Sequence, residues 1–299
     1  MNKSFKITMI VLLSIILFAC TGGFIALLVG VKSSNFNFSF GSGEFNSYDL
    51  VFDKEYDGDY KGINVDTKAA DIKFLSSDNE KVNVKIYGKE DAVNVSENND
   101  ELDIKYLLEE NNKSLFGFNT KSSRIEVYVP EQYAGKFNVK TNAGDISAVS
   151  FKNASMSVTS SAGDIKVNNI NELDANTKAG DFKIGTANEL KIKSSAGDIK
   201  VSKVTNADID AKFGDIKISS VDGKVKIIGQ AGDVDINNLN LKEDSSITLK
   251  TGDVKIDNSN EVYFDIKNDI GDTKINNNYR DAKVTFTIKN HVGDVEINN

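Results

Sequence analysis

The stretch 190–204, LKIKSSAGDIKVSKV, constrains the fold of this chain more than any other feature, because it is one copy of a block that recurs along the sequence. With Asp198 as position zero, apolar or small residues stand at −8, −6, −4, −2, +1, +3 and +6, namely Leu190, Ile192, Ser194, Ala196, Ile199, Val201 and Val204. Polar residues or Gly fill the positions between. The same block returns around Asp145, Asp164, Asp181, Asp215, Asp233, Asp253 and Asp272, in shorter form at Asp294, and with Ala70 in place of Gly around Asp71.

This spacing reads as geometry. Inward side chains come every second residue in a strand, so two consecutive outward residues mark a corner. Gly-Asp at −1 and 0 makes the first corner: Gly144-Asp145, Gly163-Asp164, Gly180-Asp181, Gly197-Asp198, Gly214-Asp215, Gly232-Asp233, Gly252-Asp253, Gly271-Asp272 and Gly293-Asp294. Positions +4 and +5 make the second, with pairs such as Asn168-Asn169, Ser219-Ser220, Asn237-Asn238 and Asn276-Asn277. The third follows +6 and absorbs the length variation, successive Asp residues lying 17 apart mid-array and up to 22 apart near its end. The expected fold is therefore all-β: a single-stranded β-solenoid (β-helix) of about ten three-cornered coils, each of 17–22 residues. One coil cannot bury its inward residues alone, and stacked neighbours complete both the core and the hydrogen-bond ladders. At about 4.8 Å per strand the rod is on the order of 50 Å long. The inward hydroxyls Thr141, Ser160, Thr177 and Ser194 at −4 are expected to bond local backbone or one another.

The regular array occupies residues 137–299, and a less regular β-strand part precedes it over 61–136. There Ile63, Val65, Thr67 and Ala69 make a first partial repeat. The alternating runs at Val82–Ile86, Val93–Val95, Leu102–Tyr106 and Ile125–Val129 read as half-buried strands. Gly88, Asn98-Asn99 and Asn111-Asn112 supply turns, and the loop 114–120 is the longest polar break. The last coil is expected to be blunted by a corner insertion at 279–283 or used for end-to-end contact, since solenoids protect their final edge.

Lys3 and Lys6 precede an uncharged, mostly apolar run over residues 7–31, long enough for a transmembrane helix, which needs about 20 residues. Residues 1–6 are then a cytoplasmic N-terminus and 32–60 a juxtamembrane segment or N-terminal cap, in which Phe36, Phe38 and Phe40 alternate with polar residues. Lipidation at Cys20 and a cleaved signal peptide are the alternatives. The expected placement is a single-pass protein of the cell membrane, N-terminus inside, with the solenoid extracytoplasmic.

Composition excludes several function classes. A net charge of −8 argues against nucleic acid, which needs clustered Lys or Arg. Cys20 is the only cysteine, so no intramolecular disulfide exists. His291, the one histidine, has no Cys nearby and reads as a surface residue. The Gly-Asp pairs read as structural corners, Gly for its backbone freedom and Asp for bonding nearby N–H groups. A parallel row of lysines at +2 (Lys166, Lys183, Lys200, Lys217, Lys255 and Lys274) offsets the carboxylate row. Calcium is the functional alternative, but calcium-binding rolls carry denser Gly and Asp. No catalytic residue, cofactor or metal is expected. Exposed aromatic platforms are scarce: there is no Trp, and Phe151, Phe182 and Phe213 fall on positions read as inward. Tyr263, Tyr279 and the Leu115–Phe118 loop remain as contacts.

The repeated Ala-Gly-Asp-Ile-Lys-Val signature, the RIEVYVP stretch from Arg124 to Pro130 and the apolar N-terminus together resemble the bacterial β-strand-repeat family known as "putative adhesin", which includes LiaG-like envelope proteins. The resemblance spans about residues 60–299, with departures at Ala70, Thr251, Ile270 and Val292. It implies a surface-exposed β-solenoid with no catalytic residues. The functional expectation is a membrane-anchored, non-enzymatic extracytoplasmic scaffold for adhesion or envelope contact, with the membrane and a surface or integral membrane protein as partners. The alternatives are an accessory of an envelope-stress response and a calcium-binding or carbohydrate-active β-helix.

Overall fold

The computed structural model describes residues 48–107 and 122–299. The run 7–31 with Cys20, the Phe36, Phe38 and Phe40 segment, and the loop 114–120 lie outside the described residues.

Between one Gly-Asp corner and the next the chain forms long bent strands, Ile165–Ala179, Phe182–Ala196 and Ile199–Phe213. These pair in parallel at an offset of one repeat, so Ile165 lies beside Phe182, Phe182 beside Ile199 and Ile199 beside Ile216. Like positions therefore stack into columns. One inward column runs Ala175, Ile192, Ile209, Ile227, Ile247, Ile288 and Ile266. All but Ile266 are buried. The period-two alternation points these side chains to one interior, where β-branched residues fit a pleated, parallel surface. Toward the N-terminal end aromatic rings pack in the interior: Phe137 lies 4.4 Å from Phe74 and 5.2 Å from Phe151, centroid to centroid.

The spatial order of the coils differs from their chain order at both ends. Coil 62–77 pairs with strands Glu101–Tyr106 and Arg124–Pro130 on one side and with Lys136–Ala143 and the start of Ile146–Ala162 on the other. The coil 101–130 is thus outermost, although 62–77 comes first. At the other end, strands Thr285–Val292 and Val295–Asn298 insert between coil 245–257 and coil 263–275. The coil expected to be last is therefore internal, and 263–275 forms the end. Antiparallel strands stand beside the coils in the less regular part 61–136. Val82–Tyr87 runs antiparallel to both Arg124–Pro130 and Leu50–Tyr56, and Val93–Asn98 runs antiparallel to Glu101–Tyr106 across a turn in which Asn99 takes φ +54°.

Position −2 also differs from expectation. Ala143, Ala162 and Ala179 are exposed, Ala196 is half-buried, and Phe213 is 54% exposed rather than inward. At three of these corners a local bond accompanies the exposure. The −4 hydroxyl donates to the −2 carbonyl, Thr141 to Ala143 at 2.8 Å, Ser160 to Ala162 at 3.1 Å and Ser194 to Ala196 at 3.2 Å. Such a local side-chain-to-backbone bond favours a bend at these corners. The Thr177 hydroxyl has no such partner.

The expectation of a transmembrane helix is corrected. Among the described residues no helix is long and apolar enough to cross a membrane. The one helical element among the described residues is the three-residue turn Glu90–Ala92, and strands that alternate inward and outward residues leave no run of about 20 apolar positions there. With it the single-pass anchor, the membrane as partner, and the extracytoplasmic placement with the N-terminus inside find no support among the described residues, the run 7–31 itself lying outside them. What the structure shows is an all-β, solenoid-like strand array.

Candidate functional site

The Gly-Asp residues align as a continuous column along one edge of the array. Gly197 has φ +125°, and a Cβ there would lie 2.1 Å from the Gly180 carbonyl oxygen. Both the backbone angle and the close approach of the neighbouring coil require glycine. The following Asp is bound coil to coil. Asp71 Oδ1 accepts the Asp145 N–H at 3.0 Å, Asp145 that of Asp164 at 2.9 Å, Asp164 that of Asp181 at 2.9 Å and Asp181 that of Asp198 at 2.8 Å. The ladder continues through Asp215, Asp233, Asp253 and Asp294 to Asp272. Each carboxylate except that of Asp272 at the end therefore commits one oxygen to the backbone of its neighbour, as Asp does in turns.

Beside this column runs the +2 row, in spatial order Lys73, Ser147, Lys166, Lys183, Lys200, Lys217, Asp235, Lys255, Glu296 and Lys274. Its far part is charge-paired: Lys217 meets Asp235 at 2.9 Å and Lys274 meets Glu296 at 3.6 Å. Asp235 pushes the Lys217 ammonium above its ordinary value through that hydrogen bond and its charge. Lys166, Lys183 and Lys200 make no ion pair among the described residues, so the expected compensation of the carboxylate row by these lysines is not a direct contact. Between the two rows lies a groove of about 570 Å³, with Ile146, Ile165 and Phe182 at its base and Asp71, Asp145, Asp164, Asp181 and Asp198 along one wall.

A larger cleft, about 1060 Å³, opens where three loops meet, 57–61, 77–82 and 130–136. Beside it, Tyr60 donates its hydroxyl proton to Glu97 at 2.6 Å, and burial together with Glu97 pushes the phenol above its ordinary value. Burial likewise raises Tyr133, whose ring packs 4.9 Å from Phe137. Sequence reading passed over this cleft because its walls come from non-repeating turns; Pro130, Gly58 and Gly135 were the available signals.

His291 is exposed and hydrogen-bonds Asp269 at 2.8 Å through Nδ1. No group of three or more His, Cys, Asp or Glu that could hold a metal ion occurs among the described residues. The Asp column is spread one residue per coil, with an oxygen of each but Asp272 already engaged, which is the reverse of the convergent oxygens calcium needs. Tyr279 is 39% exposed and Tyr263 half-buried, while the Leu115–Phe118 loop lies outside the described residues.

Residues 60–299 match the family described as Toastrack DUF4097. Among solved structures, a "putative adhesin" from Bacteroides fragilis is similar at 15% identity, covering 84% of this chain and 98% of that one, with a TM-score of 0.43. A "putative lipid binding protein" from Parabacteroides distasonis shares 15% identity over 81% of this chain and 96% of its own, with a TM-score of 0.36. A "putative adhesin" from Parabacteroides merdae shares 14% identity over 83% and 96%, with a TM-score of 0.35. No curated protein matches the chain.

Proposed function

This chain belongs to the DUF4097 toastrack family, and from that premise we propose that it is a non-enzymatic, adhesin-like β-repeat protein whose groove side is a contact surface for anionic groups on another surface. The observation that carries this reading is the row Lys166, Lys183 and Lys200, three like charges on successive coils without ion-pair partners. Like charges directly opposite one another across strands destabilise a sheet. Another outward row, Asp174, Lys191, Asp208 and Lys226, avoids this by alternating sign, with Asp174 facing Lys191 at 3.4 Å and Asp208 facing Lys226 at 3.5 Å. The unpaired lysine row stands at strand spacing beside the Asp column, whose carboxylates there each give an oxygen to a neighbouring backbone N–H, and its exposed ammonium groups are placed to meet anionic groups of another surface. Phe213, on the groove-side corner one coil further on, adds exposed apolar area.

Beads coated with the full chain test this by their attachment to intact bacterial cells. Attachment is expected to weaken with added salt and to fall in the triple variant Lys166→Glu, Lys183→Glu, Lys200→Glu. Attachment that ignores both, or none at all, overturns the reading.

A further inference from the structure

Coil 263–275 closes one end of the described stack, and no described residue stacks a further coil on its outer side. We propose that this end docks a second copy of the same chain, tail to tail about a two-fold axis.

In the interior coils, each corner Gly donates its N–H to the next coil (Gly197 to the Phe213 carbonyl at 3.1 Å), and each +1 residue does the same (Ile199 to Asp215 at 2.8 Å). Each Asp Oδ1 also accepts from the next Asp N–H. The equivalents in the end coil are the Gly271 and Thr273 N–H groups and the Asp272 carboxylate, and no further coil meets them. Ile270 is 60% exposed there, and Ile266 and Ile275 are half-buried where their counterparts inside the stack are covered. Unpaired edges of this kind are templates for pairing with another chain.

The opposite end narrows the choice of partner arrangement. Its outermost coil is covered by the antiparallel strands Val82–Tyr87 and Val93–Asn98, with Leu50–Tyr56 beyond the first of these, so no bare coil is left there to continue the stack from coil 263–275. Coil-on-coil stacking from head to tail is thereby disfavoured, and copies that meet through equal ends close a dimer rather than a filament.

Asn278 then selects the register. Its side-chain amide accepts the Phe264 N–H at 2.8 Å and donates to the Phe264 carbonyl at 3.0 Å, occupying the start of the edge. The Tyr263 N–H points inward to Val284, so by alternation the peptide groups of Ile266 and Asn268 point outward. Centring the two-fold on Ile266 sets Phe264 against Asn268 of the other copy, which Asn278 obstructs. Centring it on Lys267 opposes lysine to lysine and Asp265 to Asp269. Centring it on Asn268 opposes Lys267 to Asp269 of the other copy, twice by symmetry, and covers Ile270 with Ile266.

The mass of the full chain is measured by light scattering across a concentration series. A monomer–dimer equilibrium is expected, and Lys267→Glu should weaken it by about ten-fold, because two attractive cross-strand pairs become repulsive. Exchanging the charges, Lys267→Asp with Asp269→Lys, should restore it, and unchanged circular dichroism guards against misfolding. A monomer at every concentration, growth beyond the dimer, or a dimer indifferent to Lys267→Glu overturns the proposal. So does an exchange variant that fails to recover while remaining folded.

Discussion

Asp181 Oδ1 accepts the backbone N–H of Asp198 at 2.8 Å, and Asp198 Oδ1 in turn accepts that of Asp215 at 3.0 Å. One acidic side chain per coil thus joins the ladder that backbone groups otherwise build alone. This separates the side chain's role as an acceptor from its role as a charge.

Asp198→Asn keeps an acceptor oxygen in place and is expected to change stability little. Asp198→Ala removes it and is expected to cost about 1 kcal/mol. Urea denaturation of the two variants checks this, and an Asn variant as damaged as the Ala variant would assign the effect to charge.

Gly197→Ala combines a φ of +125° with a Cβ placed 2.1 Å from the Gly180 carbonyl oxygen. Backbone strain alone is worth about 1–3 kcal/mol, and the collision adds to it. A loss of about 3 kcal/mol or more is expected, read as a lower urea midpoint.

Ile209 is fully buried, between Ile192 and Ile227 in the central column. Ile209→Ala is expected to cost about 2–5 kcal/mol by opening a cavity that stacked neighbours cannot fill. Phe213→Ala, four residues on, removes a larger side chain that is 54% exposed and is expected to cost much less. Thermal melts of the pair decide whether position −2 belongs to the core.

His291 holds the Asp269 carboxyl below its ordinary value of 3.8 through their hydrogen bond, with Lys267 adding its charge. A depressed carboxyl stabilises the fold above its ordinary value, and that contribution is lost as pH falls through the depressed one. The contact joins strand Tyr263–Ile270 to Thr285–Val292, so acid is expected to loosen the end coil before the middle of the array. Hydrogen exchange at pH 7 and pH 3 measures this, with faster exchange at Ile266–Ile270 as the expected result. His291→Ala should remove the difference attributable to this pair.

Much of the coil was readable in the spacing, because each inward position repeats against its own copy in the next coil. Ile192, Ile209 and Ile227 are an example. Phe213 was not, since an apolar residue at −2 looks inward by alternation. Only its 54% exposure shows that the chain has already begun to turn, in a coil where Ala211 at −4 has no hydroxyl to bond the −2 carbonyl. The cleft beside Tyr60 and Tyr133 was equally unreadable, because three unrelated loops meet there and no period announces it. The apolar run 7–31 illustrates a different limit: its length suggested a membrane helix, but the described residues contain no such helix, and the run itself lies outside them.

By itself the sequence determined the repeat, the parallel stacking of like positions and the glycine at each corner, since all three follow from local spacing and backbone sterics. Tertiary structure alone decided the order of the coils at the ends. Residues 285–298 and 263–275 carry nearly the same pattern, so either satisfies the inward columns beside coil 245–257. The choice between them rests on contacts such as Asn278 to Phe264 and Thr285 to Asp244, made only after the chain has folded back on itself.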